Sequence, residues 1–314
     1  MSKNKIDEKE LIFRKVKEKE RLTFYQNAML SVNEFATSSL GFSWKRFKRI
    51  LMLNRLTFGL IAKIFMKDMV DYAVVYDNKM VAGFTILTSK ENYALGNVFT
   101  IPEYRGKGLA SIIVNKVTSE FSDKPIELNV DIKNEIAIHI YKKYGFKEKN
   151  RTKQFIENIP FQTKPFAKGY SAKILEYNDL ENLDKLRKEI PQFDVILKAY
   201  KRGLKKSKKR ALQIETQVPC ALLEDNEIIG LGRAVWSKTT PHTATILASA
   251  ILPEGTENYA SFITFITTEL IPYDIKKFNW NLSEKTKPFE NSFVSFLSKP
   301  VRESIVMEKE IEIN

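Results

Sequence analysis

Residues 97–111 read Asn97-Val-Phe-Thr-Ile-Pro-Glu-Tyr-Arg-Gly-Lys-Gly-Leu-Ala-Ser111, and this stretch decides the fold. An apolar run compatible with a strand ends at Pro102, and a basic turn with two glycines follows from Arg105 to Gly108. Apolar residues then recur at helical spacing at Leu109, Ile112, Ile113, Val117 and Phe121. The order is strand, anion-sized loop, helix. Gly106 and Gly108 carry no Cβ, so their backbone N–H groups can approach an oxyanion closely. The start of the following helix adds unpaired donors and the positive end of its dipole. Phosphate or pyrophosphate is the ligand chemistry that fits.

Working outward, two apolar runs, Tyr72–Tyr76 and Met80–Leu87, flank Asp77-Asn78-Lys79 and predict a β-hairpin. The strand before the glycine loop, about 94–101, extends that antiparallel set. Upstream, residues 11–17 suit a strand and 21–33 a helix with Leu22, Phe24, Tyr25, Ala28, Met29 and Leu30 grouped. A basic helix is expected over about 45–67; its amphipathic composition suits a sheet-packed helix better than a membrane-surface one. Downstream, Ile126, Leu128 and Val130 alternate as a strand. Asn134 then opens a helix carrying Ile136, Ala137, Ile140, Tyr141 and Tyr144, closed by Gly145, and a last strand is expected near 152–156.

Element order and residues together resemble the GNAT acetyltransferase superfamily over about residues 12–156. The family's cofactor signature, Arg or Gln, two residues, Gly, one residue, Gly or Ala, is met by Arg105, Gly108 and Ala110. Its second signature is met by Asn134, Ala137, Tyr141, Gly145 and Phe146. The resemblance implies acetyl-CoA as cofactor, with its pyrophosphate held at Arg105, Gly106, Lys107, Gly108, Leu109, Ala110 and Ser111. It also implies that the pantetheine arm lies along the backbone of Val98, Phe99 and Thr100 and passes near Asn134. Tyr141 would be the general acid that delivers a proton to the departing sulfur. On periodicity alone Tyr141 reads as a core aromatic, and only its motif lifts it to a catalytic candidate. Glu91, Asn97 and Asp131 flank the relevant strands, and none is singled out as general base.

The segment Glu157–Lys168 contains Pro160 and Pro165 without periodicity and reads as a linker. Beyond it the pattern repeats in worn form. Leu222–Leu231 repeats the hairpin, and Ala250-Ile-Leu-Pro-Glu254 corresponds to Phe99-Thr-Ile-Pro-Glu103. That alignment sets Thr256 opposite Arg105 and Tyr259 opposite Gly108, so the second copy is not expected to hold CoA. A strand over 278–282 and a helix over 288–297 are expected to follow. The expected fold class is therefore α/β (α+β), with two GNAT-like domains, each a mixed, largely antiparallel central sheet flanked by helices. The expected domains are 1–160, with the intact acyl-CoA motif, and 165–314, degenerate.

Composition narrows the function. With 314 residues, 43% apolar and 11% aromatic, the chain can bury two ordinary cores. Cys220 is the one cysteine, which excludes an internal disulfide and suits a reducing cytoplasm, the expected location. His139 and His242 with one cysteine do not make a zinc site, so no metal is expected. The mixed-charge N-terminus is not a secretory signal, and no transmembrane segment is predicted because Asn54, Arg55 and Lys63 interrupt the most apolar stretch. Net charge is +13, to which the run 201–210 contributes seven positive residues. That run lacks interleaved aromatics, so a solvated surface is favoured over a nucleic-acid site. The expected partner is a small-molecule or peptide amine acceptor. The alternatives are a non-catalytic acyl-CoA sensor and, because Fem-type tandem GNAT folds use charged tRNA, an aminoacyl-tRNA-dependent transferase.

Overall fold

The computed structural model describes residues 6–33, 68–181, 183–191, 193–206, 215–237, 242–283 and 293–311. The expected helix over 45–67, and residues 207–210 of the basic run, lie outside them. Among the described residues, contacts divide the chain into two compact units, 6–152 together with 302–311, and 153–301.

In the first unit, strands β1 (Ile12–Lys15), β2 (Met69–Tyr76), β3 (Lys79–Thr88) and β4 (Tyr93–Thr100) form an antiparallel set. The hairpin between β2 and β3 turns on Asp77 and Asn78, both at positive φ (48° and 58°). Asp and Asn tolerate that region because a short polar side chain can bond locally to the backbone. Helix α1 (Arg21–Asn33) buries Phe24, Tyr25 and Ala28, and Phe24 meets Phe99 of β4 edge-on at 5.2 Å. A crossover through α2 (Leu109–Glu120) brings β5 (Ile126–Asp131) in parallel to β4. Helix α2 buries Leu109, Ile113, Val114 and Val117, a stripe spaced for one face. Each such side chain stabilises the packed helix by about 1.5–3 kcal/mol. Helix α3 (Glu135–Lys143) and β6 (Lys147–Asn158) follow, β6 starting earlier than the 152–156 its sequence suggests.

The second unit repeats this plan. Strands β7 (Tyr170–Ile174), β8 (Glu215–Glu224), β9 (Glu227–Ser237) and β10 (Thr243–Ile251) are antiparallel neighbours. Its β8–β9 turn again uses an Asp-Asn pair at positive φ, Asp225 (46°) and Asn226 (71°). Helices α4 (Asp184–Glu189) and α5 (Phe193–Lys206) precede β8, and the first part of the basic run falls on α5. Helix α6 (Tyr259–Thr268) then crosses over to β11 (Lys277–Ser283), which lies parallel to β10. The mixed, largely antiparallel sheet flanked by helices is thus the architecture of both units. Of the expected helix over 288–297, residues 288–292 lie outside the described residues, and Val294–Phe296 form a short 3₁₀ turn.

The expected boundary between 1–160 and 165–314 differs from this division at the C-terminus. Strand β12 (Arg302–Lys309) lies antiparallel to β5, with Ser304 opposite Asp131 and Lys309 opposite Ile126, and so belongs to the first unit. Its Ile305 and Met307 are buried in the same core as Leu128 and Val130 of β5. Burial of those side chains and a full ladder against β5 are what assign the strand to that unit.

Candidate functional site

Strand β4 pairs with β5 only from Tyr93 to Leu95, against Ile126–Leu128. Its register against β3 shifts between Gly83 and Thr85, where Asn97 adopts φ 49°, so the strand carries a bulge. The side chain of Asn97 anchors the bulge: its Nδ2 donates to Thr85 Oγ1 at 3.0 Å, and that hydroxyl donates to the buried Asp71 at 2.7 Å. Past the bulge, β4 leaves β5 and one wall of a cleft of about 440 Å³ opens, lined by Val98, Phe99 and Thr100.

The second wall is the glycine loop. Pro102–Tyr104 make one 3₁₀ turn, Arg105 is extended, Gly106 and Gly108 have φ of 77° and 87°, and α2 begins at Leu109. A Cβ added at Gly108 would meet no atom within 4 Å, so the protein leaves open space there. No side chain caps α2; Gly108 is its N-cap, and Leu109, Ala110 and Ser111 of its first turn line the cleft. Arg105 Nε donates to the Thr100 carbonyl at 3.2 Å, tying the loop to the end of β4. Arg105 therefore shapes the loop as well as charging it. Lys107 does not line the cleft; its ammonium sits 4.5 Å from the Tyr104 ring centroid.

The third wall is α3. Asn134 Oδ1 accepts from the Ala137 N–H at 3.2 Å, capping the helix, and Asn134, Ala137, Ile140 and Tyr141 face the cleft. Tyr141 is 8% exposed and packs against Phe146 at 5.7 Å. Burial pushes its phenol up to about 12. It stays protonated throughout the neutral range.

Eleven of the twelve residues expected at a cofactor or catalytic position, all but Lys107, therefore line one cleft. Sequence reasoning missed Ser31 of α1, Tyr104, Val114, Ile136, Ala137 and Ile140. Ala137 was legible from its i, i+4 spacing to Tyr141, and Ile140 from its i, i+3 spacing to Ala137; Ser31 carries no motif. Ile136 is apolar yet 79% exposed at the cleft edge. The three flanking polar residues are placed elsewhere. Glu91 is exposed in the β3–β4 turn, Asn97 serves the bulge, and Asp131 is bound by Arg302. Among the described residues lining the cleft, none is Asp, Glu or His.

The second unit uses the corresponding place differently. Its helix start aligns Tyr259 with Leu109 and the N-cap Asn258 with Gly108, one residue off the alignment read from sequence. Asn258 has φ −93°, and its Oδ1 accepts the Ala167 N–H at 2.9 Å. Ser261, which matches the cleft-lining Ser111, donates to the carbonyls of Lys164 (2.8 Å) and Pro165 (3.1 Å). Segment 163–167 thus lies across the start of α6, and Tyr259 is fully buried against Trp280 and Phe293, at 5.5 and 5.7 Å.

The stretch that carries the bulged strand, the two-glycine loop and Tyr141, residues 69–148, matches a family model described as an acetyltransferase (GNAT) domain. Residues 69–148 are a GNAT domain. The chain is 30% identical over 77 residues to an uncharacterized N-acetyltransferase of Methanocaldococcus jannaschii. That match covers 23% of this chain, which spans about a third (34%) of the relative's length. The GNAT fold extends over both units. A GCN5-related N-acetyltransferase from Sphaerobacter thermophilus is similar with a TM-score of 0.66, at 12% identity and covering 96% of each chain. A tandem GNAT protein from the clavulanic acid biosynthesis pathway is similar with a TM-score of 0.64, at 12% identity, covering 97% of this chain and 100% of that one. No described helix is long and apolar enough to cross a membrane.

Proposed function

We propose that the GNAT domain transfers an acetyl group from acetyl-CoA to a small-molecule or peptide amine. The observation that carries this reading is Gly108: φ is 87° and a Cβ would meet nothing within 4 Å, at the N-cap of a helix facing a cleft that also holds Tyr141. Bound there, acetyl-CoA would supply a thioester whose carbonyl is open to attack by a neutral amine.

The remaining work falls to the chain. N–H groups of the Arg105–Ser111 loop and first turn would hold the pyrophosphate oxygens through hydrogen bonds, to which the helix dipole adds about 0.3–1 kcal/mol. Backbone groups of Val98–Thr100, freed from β5 by the splay, would take the amides of the pantetheine arm. Tyr141 keeps its proton because its phenol titrates at about 12. A free thiol titrates near ~8.5, so complete transfer from Tyr141 to sulfur is uphill by roughly 3.5 pH units, or about 5 kcal/mol. Tyr141 therefore acts as a hydrogen-bond donor that stabilises developing charge on sulfur as the C–S bond breaks, with little net proton transfer. The proton that nitrogen loses on forming the C–N bond passes to solvent, and the released thiolate equilibrates with solvent. This refines the general-acid role that its motif implies.

The test is calorimetric titration of the full chain with acetyl-CoA, together with thiol release in the presence of an amine panel. Saturable binding with thiol release on at least one amine supports the proposal. Tight binding with no release on any acceptor favours the sensor, and no binding refutes both.

A further inference from the structure

We propose that Arg302, on the strand the chain supplies only after its whole second unit, is a positioning residue for the cleft of the first unit. The proposal rests on the reading of that cleft as the acetyl-CoA site.

The observation is a chain of contacts that ends at the third wall. Arg302 Nε donates to Asp131 Oδ2 at 3.1 Å; the Asp131 side chain is 5% exposed and that of Arg302 27%. The other carboxylate oxygen of Asp131 accepts the Lys133 N–H at 3.0 Å, and its carbonyl accepts the Asn134 N–H at 2.9 Å. Asn134 caps α3 through Ala137. Beside this, the Ile132 N–H donates to the Glu303 carbonyl at 3.1 Å, so β12 grips the same turn through its backbone. The turn from Asp131 to Asn134 thus has its conformation set by one carboxylate, and that carboxylate is neutralised from β12.

A buried carboxylate is tolerated when a cation and hydrogen bonds satisfy it, and removing the cation alone leaves an uncompensated charge. Asp131 would then draw toward solvent or water, taking with it the turn that presents Asn134 and sets the start of α3. Asn134, Ala137 and Tyr141 are cleft residues on that one short helix, so a shift of its first turn is felt at the site. Arg302 touches none of the cleft itself and acts only through Asp131. The geometry gives the C-terminal strand a part in the first site although the second unit intervenes in the chain.

The experiment uses the full-length chain and two readouts: acetyl-CoA affinity by calorimetry, and amide hydrogen exchange over residues 131–141. Arg302→Met should weaken binding at least fivefold and speed exchange in that segment. The double variant Arg302→Met with Asp131→Asn removes the orphaned charge and should restore affinity to within twofold of wild type. Glu308→Gln breaks the ion pair with Lys149 at the other end of β12 and should leave both readouts unchanged. Should Arg302→Met fail to fold, Arg302→Lys carries the test, with at least a twofold loss expected. Wild-type affinity in Arg302→Met, or in Arg302→Lys where that variant stands in, overturns the proposal. So does equal loss in Glu308→Gln, or failure of the double variant to recover. A wild-type chain that does not bind acetyl-CoA overturns the functional reading instead, and unaltered exchange over 131–141 in the variant then overturns this one as well.

Discussion

Gly108→Ala separates what the glycine loop does for the fold from what it does for a ligand. At φ 87°, ψ 0°, an alanine would sit in the left-handed region, which costs a non-glycine residue roughly 1–2 kcal/mol. No steric cost adds to this, because the new Cβ would meet no atom within 4 Å. A compact unit of this size loses about 2–4 °C of Tm per kcal/mol, so melting should fall by only several degrees. The effect on a bound pyrophosphate is larger. The methyl group enters the space through which the first-turn N–H groups approach an anion, and a hydrogen bond to a charged group is worth about 1.5–3 kcal/mol. Losing one such contact weakens binding about ten- to a hundredfold. Calorimetry with acetyl-CoA on Gly108→Ala, paired with thermal unfolding, therefore has a stated signature: small Tm loss, large affinity loss. Wild-type affinity in the variant would refute the loop assignment, and a melting loss well beyond several degrees would show that the loop serves the fold.

Tyr141→Phe should lower turnover about tenfold or more while acetyl-CoA affinity stays within twofold, as steady-state and binding measurements would show; unchanged turnover removes Tyr141 from the chemistry. Because burial raises the Tyr141 phenol from 10 to about 12, its contribution to stability is complete below pH 10 and is lost as pH rises through about 12. The loss is about 3 kcal/mol, and Tyr141→Phe should unfold less steeply in that window in alkaline denaturation. Gly83→Ala on β3 would bring a Cβ to 2.6 Å from Phe24 and 2.8 Å from Phe99, two rings packed against each other, and should destabilise by about 1–3 kcal/mol in denaturant titrations. Since segment 163–167 lies across the start of α6, acetyl-CoA should bind with a stoichiometry of one per chain, and a value near two in calorimetry would contradict the account of the second unit.

The residues legible from sequence are those whose chemistry is local. Asp77-Asn78 and Asp225-Asn226 predict their hairpins because a positive-φ turn needs side chains of that kind, and both pairs adopt it. Gly106 and Gly108 predict a loop whose backbone can approach an anion because they carry no Cβ, and both adopt positive φ, while Asn134 predicts a cap three residues ahead of the N–H it accepts. The apolar stripe from Leu109 to Val117 predicts α2 because one helix face must meet a sheet. Each of these signals lies within a few residues of its effect.

What only the tertiary structure decided are contacts between residues distant in the chain, for which no periodicity or turn chemistry exists. The bulge at Asn97 depends on Thr85 and Asp71, on two other strands. The seat of Ala167 on Asn258 joins residues 91 positions apart, and the pairing of Arg302 with Asp131 joins residues 171 positions apart. Asp131 shows the difference most plainly. By sequence it is a carboxylate at the end of a strand beside a motif, open to a catalytic role. In the fold it is buried and neutralised by an arginine from the far end of the chain, and its work is to hold a turn. Sequence by itself therefore determined the hairpins, the glycine loop and the two helices that line the cleft with it, because these follow from propensity and backbone sterics. Which side chains reach the cleft, and which strand completes the unit that contains it, depended on desolvation and long-range pairing that exist only once the chain has folded.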